Sequence, residues 1–218
     1  MTRAIVNDVH SQLNPTQVAS IAAPRTVDEL ADTIVRARSQ GRSVSIAGGR
    51  HAMGGQQFGT GTVHVDTRGL NHVVAFDRER GIVSVQGGIQ WPEVMAWLEQ
   101  SQQGCESAWG IHQKQTGADR LCVGGALSCN CHGRGLTLPP IVGQIESFDL
   151  VGSGGGLRTC SRDRHAELFR LAIGGYGLFG VIARVDLRLR PRVKVRRVVD
   201  IADTTELIDR FEERIRDG

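Results

Sequence analysis

Apolar positions along this chain fall into two rhythms, one near 3.6 residues and one of two. Val27, Leu30, Ile34 and Val35 share one face of Thr26 to Arg38, which predicts an amphipathic helix. Thr26 with Glu29 three residues later has the arrangement of a capping box, and Gly41 closes the helix. Residues 43–47 then alternate into Gly48 and Gly49, giving a strand that ends in a glycine turn at His51. Thr62 to Asp66, His72 to Phe76 and Ile82 to Gln86 read as further strands, the last two as a hairpin across the charged turn 77–81. Pro92 suits the first turn of a helix carrying Val94, Met95, Trp97 and Leu98 to about Gln100.

The second half repeats this alternation of types. Ile145 to Gly152 and Leu157 to Ser161 predict a hairpin, His165 to Ile173 a short helix, and Gly180 to Arg190 a long strand. A final helix over 203–217 starts at Asp203 with Glu206 in capping-box register and puts Leu207, Ile208, Phe211 and Ile215 on one face. Such a stripe calls for a cover, from this chain, a second subunit or a further domain. Helices and strands interleave without a regular βαβ cadence, so the expected class is α+β, with one domain or two small lobes.

Composition changes this picture little. The chain has 218 residues, 40% apolar content, 28 glycines and a net charge of +3, enough for one substantial core and too mild a charge to imply nucleic acid or membrane partners. Five cysteines are an odd number without the spacing of a disulfide framework, which favours a reducing compartment. No signal-peptide core and no apolar run of transmembrane length are present, so the expected location is cytoplasmic.

The chemistry concentrates in two glycine-dense segments, 43–55 (SVSIAGGRHAMGG) and 122–135 (CVGGALSCNCHGRG), each with a histidine beside a turn. Glycine exposes bare amides and tolerates positive φ, so paired glycines let backbone approach a pyrophosphate. His51, after two glycines and an arginine, can donate a hydrogen bond, carry charge or act as a nucleophile. Gly175, Gly177 and Gly180 spell GxGxxG, but a helix precedes and a strand follows, the reverse of the dinucleotide-binding order. Cys129, Cys131 and His132 lack the four spaced ligands of a structural zinc site, so no metal is assigned. Residues 184–197 hold seven basic side chains and one acid, the footprint of a nucleic-acid surface. Their strand-like alternation and the lack of stacking aromatics argue instead for a solvated sheet face.

Five segments in order carry a resemblance: PRTVDEL at 24–30, SIAGGRHAMGGQ at 45–56, VQGGIQWPEVMAWL at 85–98, LCVGGALSCNCHGRG at 121–135 and ELFRLAIGGYGLFGVIARVDLRL at 167–189. Together they resemble the FAD-binding, PCMH-type domain of the vanillyl-alcohol oxidase/p-cresol methylhydroxylase flavoproteins. The resemblance implies an α+β fold of two lobes, with mixed and antiparallel sheets flanked by helices and FAD stretched between the lobes. It assigns the cofactor to Ala47, Gly48, Gly49, Arg50, His51 and Ala52, whose amides would grip the pyrophosphate. Val123, Gly124, Gly125, Ser128, Asn130, His132, Gly133, Gly177, Gly180, Val181 and Ile182 would complete the cleft. In members with an Arg-His pair at this turn the histidine is bonded to the flavin 8-methyl carbon, and His51 is the matching position, although Ala52 stands where a serine usually follows. No cysteinyl link is expected, because Cys122 lies too close to Gly124 and Gly125.

By this resemblance the cofactor domain is expected over 1–195, with 196–218 beginning a truncated or missing substrate domain. The implied activity is FAD-dependent oxidation of a CH–OH group in a small alcohol such as a polyol or aldonolactone, by hydride transfer to flavin. The electron acceptor and the catalytic base stay unassigned. A binding module that docks nucleic acid or protein through the basic strand 184–197 is the alternative.

Overall fold

A computed structural model describes residues 4–115 and 117–217. The N-terminal lobe opens with an antiparallel pair, β1 (Ala4–Val6) and β2 (Thr16–Val18), followed by β3 (Ser20–Ala22). Helix α1 (Val27–Ser39) leads to β4 (Val44–Ala47), and β5 (Val63–Asp66) lies between β3 and β4 in a parallel three-stranded sheet. Thr26 caps α1 by accepting from the Glu29 amide at 3.1 Å. The Glu29 carboxylate reaches back to the Arg25 amide, one residue before the position a capping box uses.

The α1 stripe differs from expectation at one position. Leu30, Thr33, Ile34 and Ala37 are buried, whereas Val35 is exposed. Val35 turns sideways toward the 152–156 turn, where a side chain on Gly155 would strike it. Helix geometry puts residue 35 about 100° from residue 34, enough to carry it off a narrow buried face.

The second lobe is built on a five-stranded antiparallel sheet of order β10-β9-β11-β7-β6. Its strands are β6 (Val73–Asp77), β7 (Ile82–Gln86), β9 (Ile145–Val151), β10 (Leu157–Ser161) and β11 (Val181–Arg188). Helices α2 (Trp91–Ser101), α3 (Val123–Ser128) and α4 (Ala166–Ala172) accompany it, and two-residue strands β8 (Trp109–Gly110) and β12 (Arg190–Pro191) pair beside it. Both expected hairpins form, β6–β7 and β9–β10.

Strand β11 ties the architecture together because its apolar residues enter two cores. Ile182, Val185 and Leu187 join Trp91, Leu127, Phe148 and Phe169 in the larger core. Val181 and Ala183 join Leu30, Ile34, Val65 and Val151 in a smaller core that ties the lobes together. Each fully buried large apolar side chain contributes about 1.5–3 kcal/mol, so the two clusters hold the lobes in a fixed relation. Phe148 and Phe169 stack at 5.3 Å between centroids.

The basic stretch is partly neutralised within the sheet. Arg184 Nε lies 2.9 Å from Asp149 Oδ2, and Arg188 pairs with Glu146. Beyond β12 the chain is exposed up to and through α5 (Leu207–Asp217). Asp203 caps the turn before α5 by accepting from the Thr205 amide, while Glu206 pairs with Arg210 rather than reaching back. Leu207, Ile208, Phe211 and Ile215 are all exposed. Among the described residues no helix is long and apolar enough to cross a membrane.

Candidate functional site

β4 delivers the first wall of the site. Beyond Ala47 the chain turns through Gly48 and Gly49 to Arg50, which adopts a left-handed φ of 57°. Space explains both glycines: a Cβ at 48 would lie 2.7 Å from Cys122 Sγ, and one at 49 would lie 2.5 Å from the Arg120 carbonyl oxygen. The two glycine-dense segments are therefore in direct contact. Among the described residues, the amides of Arg50, His51 and Ala52 have no protein acceptor.

The second segment is a short helix rather than an open turn. Val123–Ser128 forms α3, anchored by the Val123 amide on Ile89 O at 2.9 Å and the Gly124 amide on Gly87 O at 2.8 Å. Gly87 in turn abuts the Ile182 carbonyl, and Gly88 the Thr67 carbonyl, so the turn after β7 fits only without side chains. Cys122 is buried beneath Gly48, and burial pushes its thiol up to about 12.

Loop 174–180 supplies the third wall. Tyr176 at φ 51° and Gly177 at φ 81° fold it back, the Tyr176 amide donates to Ser128 O at 3.0 Å, and Gly180 at φ 139° starts β11. Glycine is needed at 180 twice over, for its φ and because a Cβ there would lie 2.6 Å from Val151 O.

These walls enclose a cleft of about 310 Å³ between the lobes. Ala47, Gly48, Gly49, Arg50, His51, Ala52, Gly124, Gly125, Ser128, Gly177, Gly180, Val181 and Ile182 line it, all singled out from the sequence. Four others stand off the wall. Val123 is buried in the larger core; Asn130 Oδ1 accepts from the Val142 amide; His132 Nδ1 faces Gly133 O; and the Gly133 amide donates to Gln113. Sequence reading passed over Gln56, Gln57, Thr67, Gly87, Leu121, Cys122, Cys129 and Tyr176, which also face the cleft. Gly87 and Tyr176 sat inside recognised motifs, whereas Gln57 and Thr67 carried no local signal.

His51 is held from both sides. Its Nε2 lies 2.9 Å from Arg120 O, and its Nδ1 lies 2.8 Å from His10 Nε2. A carbonyl oxygen can only accept, so Nε2 of His51 carries the proton and Nδ1 keeps its lone pair. Burial lowers the pKa of His51, and the neighbouring His10 lowers it further, against the opposing pull of the Arg120 carbonyl. Two cleft side chains, Arg50 and Gln57, bury polar atoms without a partner, Nε of the first and Oε1 of the second. Cys129 also faces the cleft, its thiol donating to Ala126 O at 3.4 Å while Cys131 Sγ donates to Gln115 Oε1 at 3.8 Å, and the neighbouring thiols shift each other apart, Cys129 lowered and Cys131 raised.

Residues 18–161 match the family of FAD binding domains, more than half of the chain. The chain belongs to that family of PCMH-type flavoproteins, and FAD is its cofactor. Among related proteins, an L-gulono-1,4-lactone dehydrogenase of Mycobacterium tuberculosis is 29% identical over 88% of this chain and 43% of its own length. An uncharacterized oxidoreductase of Rhodococcoides fascians is 29% identical over 78% of this chain and 37% of its own. The L-gulonolactone oxidase of Bos taurus is 24% identical over 88% of this chain and 42% of its own. The chain thus spans less than half the length of these relatives. A solved alkyldihydroxyacetonephosphate synthase shares the fold, with a TM-score of 0.67 at 19% identity over 78% of this chain and 31% of that one.

Proposed function

We propose that this chain forms the cofactor half of an FAD-dependent oxidoreductase that oxidises a CH–OH group of a small molecule, a polyol or an aldonolactone. The observation that carries this reading is the run of amides at Arg50, His51 and Ala52, without a protein acceptor among the described residues, at a turn that lines a cleft walled by glycines. Bare amides at a sharp turn hold an anionic diphosphate without a bulky side chain, and the orphaned Arg50 Nε adds a charged donor beside them. Gly124, Gly125, Ser128, Gly177, Gly180, Val181 and Ile182 supply the opposite wall, largely free of water-binding side chains. When bound, the flavin accepts a hydride from the substrate carbon. The names of the relatives, gulonolactone oxidases and dehydrogenases, support the lactone class.

In this reading His51, at the turn that lines the cleft, would also be the residue that bonds the flavin. Were it to form, the bond would join a ring nitrogen of His51 to the flavin 8-methyl carbon, the methyl giving up a proton and the flavin keeping two electrons for an acceptor such as dioxygen to remove. Cofactor binding is assigned to residues 1–195, since among the described residues none beyond β12 lines the cleft.

The test is optical. Purified protein saturated with FAD should show flavin absorption bands and reduce an acceptor dye with L-gulono-1,4-lactone or a sugar alcohol, at least when joined to the rest of a relative's length. Colourless protein that takes up no FAD would remove the proposal. A nucleic-acid-binding module is the competing reading, and the pairing of Arg184 and Arg188 with Asp149 and Glu146 weighs against it. Salt-sensitive DNA binding without flavin would favour it.

A further inference from the structure

Two cysteines stand one residue apart at the end of α3. Cys129 is the C-cap of the helix, exposed and lining the cleft, and Cys131 is half-buried against the larger core. Asn130 between them adopts a left-handed φ of 45°, a conformation that asparagine tolerates better than most side chains. Backbone bonds hold this bend: the Cys129 amide donates to Gly125 O at 3.2 Å and the Cys131 amide to Ala126 O at 3.0 Å. Consecutive Cα atoms are about 3.8 Å apart, so two residues flanking a bent one fall within the roughly 4.4–6.8 Å that a disulfide spans. Only weak bonds occupy the sulfurs, to Ala126 O and Gln115 Oε1, and each thiol is near enough to shift the titration of the other.

The two thiols differ in the way a redox pair requires. Cys129 is the accessible one and ionises more readily, whereas Cys131 keeps its proton beside it, and a sensor cysteine is commonly such a thiolate next to a resolving partner. We propose that Cys129 and Cys131 form a peroxide-sensitive disulfide switch in the cleft wall, and that closing the bridge weakens FAD binding. The Cys129 thiolate attacks one oxygen of hydrogen peroxide, the O–O bond breaks, and hydroxide leaves a sulfenic acid on Cys129. The Cys131 sulfur then attacks that sulfur, the S–O bond breaks, and the hydroxyl departs with the Cys131 proton as water. Two electrons pass from the sulfurs to the peroxide, and an external dithiol returns them. Bridging draws Cys129 Sγ off Ala126 O at the end of α3 that carries the third wall, where Leu127 O accepts from the Gly174 amide at 3.2 Å and Ser128 O from the Tyr176 amide at 3.0 Å. Ser128, Cys129 and Tyr176 all line the cleft, and the inference rests on that cleft being the FAD site.

Peptide mass spectrometry and FAD titration on the full chain test it together. Reduced protein is treated with hydrogen peroxide, denatured, alkylated and cut with trypsin, which releases residues 121–134 carrying Cys122, Cys129 and Cys131. After peroxide this peptide should be alkylated on Cys122 alone, with Cys129 bridged to Cys131. FAD affinity of the same sample should fall on the order of tenfold, within the usual range of coupling between two sites, and recover with dithiothreitol. Cys131→Ser, whose altered side chain lies off the cleft wall, should bind FAD as reduced wild type does, and under peroxide should stop at a Cys129 sulfenic acid that dimedone captures. Wild type that forms no bridge, or a bridge that includes Cys122, would overturn the inference. A proven bridge with unchanged FAD affinity would sink the switch alone, whereas reduced protein that binds no FAD would remove the cleft reading and the switch together.

Discussion

Gly49 and Arg120 meet at a separation that leaves no room for a side chain: a Cβ on residue 49 would sit 2.5 Å from the Arg120 carbonyl oxygen. The same oxygen accepts from His51 Nε2 at 2.9 Å. One backbone carbonyl thus joins the β4 turn to the segment leading into α3 and orients the histidine between them.

Gly49→Ala should therefore damage both fold and site. The neighbour is backbone and cannot swing away, so a stability loss of about 1–3 kcal/mol is expected, the usual cost of overpacking. Thermal melting would report it, and FAD titration should show weakened binding beyond what the lost stability explains. An alanine variant with wild-type melting and affinity would mean that the turn is looser than described.

His51→Ala should spare the fold, since the ring is only partly buried and Arg120 O can turn to solvent; a change within about 1 kcal/mol is expected. Acid precipitation is the decisive measurement. Flavin should leave with the supernatant in the variant and stay with the pellet in wild type, and equal pellet flavin in both would exclude His51 as the attachment point.

Stability should fall as the solution is acidified below neutrality. Burial lowers the pKa of both His51 and His64 from 6.5, so the unfolded chain takes up protons that the folded chain resists. A group with a depressed folded value of this kind favours folding fully above 6.5 and progressively less as pH drops toward its folded pKa. Denaturant midpoints should decrease between about pH 8 and pH 5.5, more shallowly in His51→Ala. A flat profile in wild type would contradict the burial of both rings.

Cys129 should be the reactive thiol of the cleft. Cys129 is exposed with its pKa lowered, whereas Cys122 is buried with its thiol pushed up to about 12, so iodoacetamide at neutral pH should label Cys129 well before Cys122. Because Cys129 faces the cleft, saturating FAD should slow that labelling. Peptide mass spectrometry reads both effects, and labelling indifferent to FAD would place the cofactor elsewhere.

Much of the architecture was legible beforehand. The α1 stripe, the β6–β7 and β9–β10 hairpins and the long β11 follow from periodicities strong enough to survive any packing. Strands β1 to β3 were not read, since three-residue strands leave too little alternation to count. Helix α3 was hidden for another reason. Gly124 and Gly125 lower its intrinsic helix propensity, and it forms because its first amides bond Ile89 O and Gly87 O on a neighbouring turn. Val35 shows the limit of one-face reasoning, where a residue at the stripe's margin is decided by what packs beside the helix.

What the linear chain determined alone was its set of periodic elements, the turns that tolerate only glycine, and membership in a flavoprotein family. Those are short-range properties, written in residue spacing and backbone freedom. The tertiary structure decided which turns share a wall and what faces His51. His10 lies 41 positions from His51 and Arg120 lies 69 positions from it, and neither carries a local mark of that partnership. Hydrogen bonds across such distances in sequence exist only once the segments have packed, because burial of apolar surface, not local pattern, sets where they come to rest.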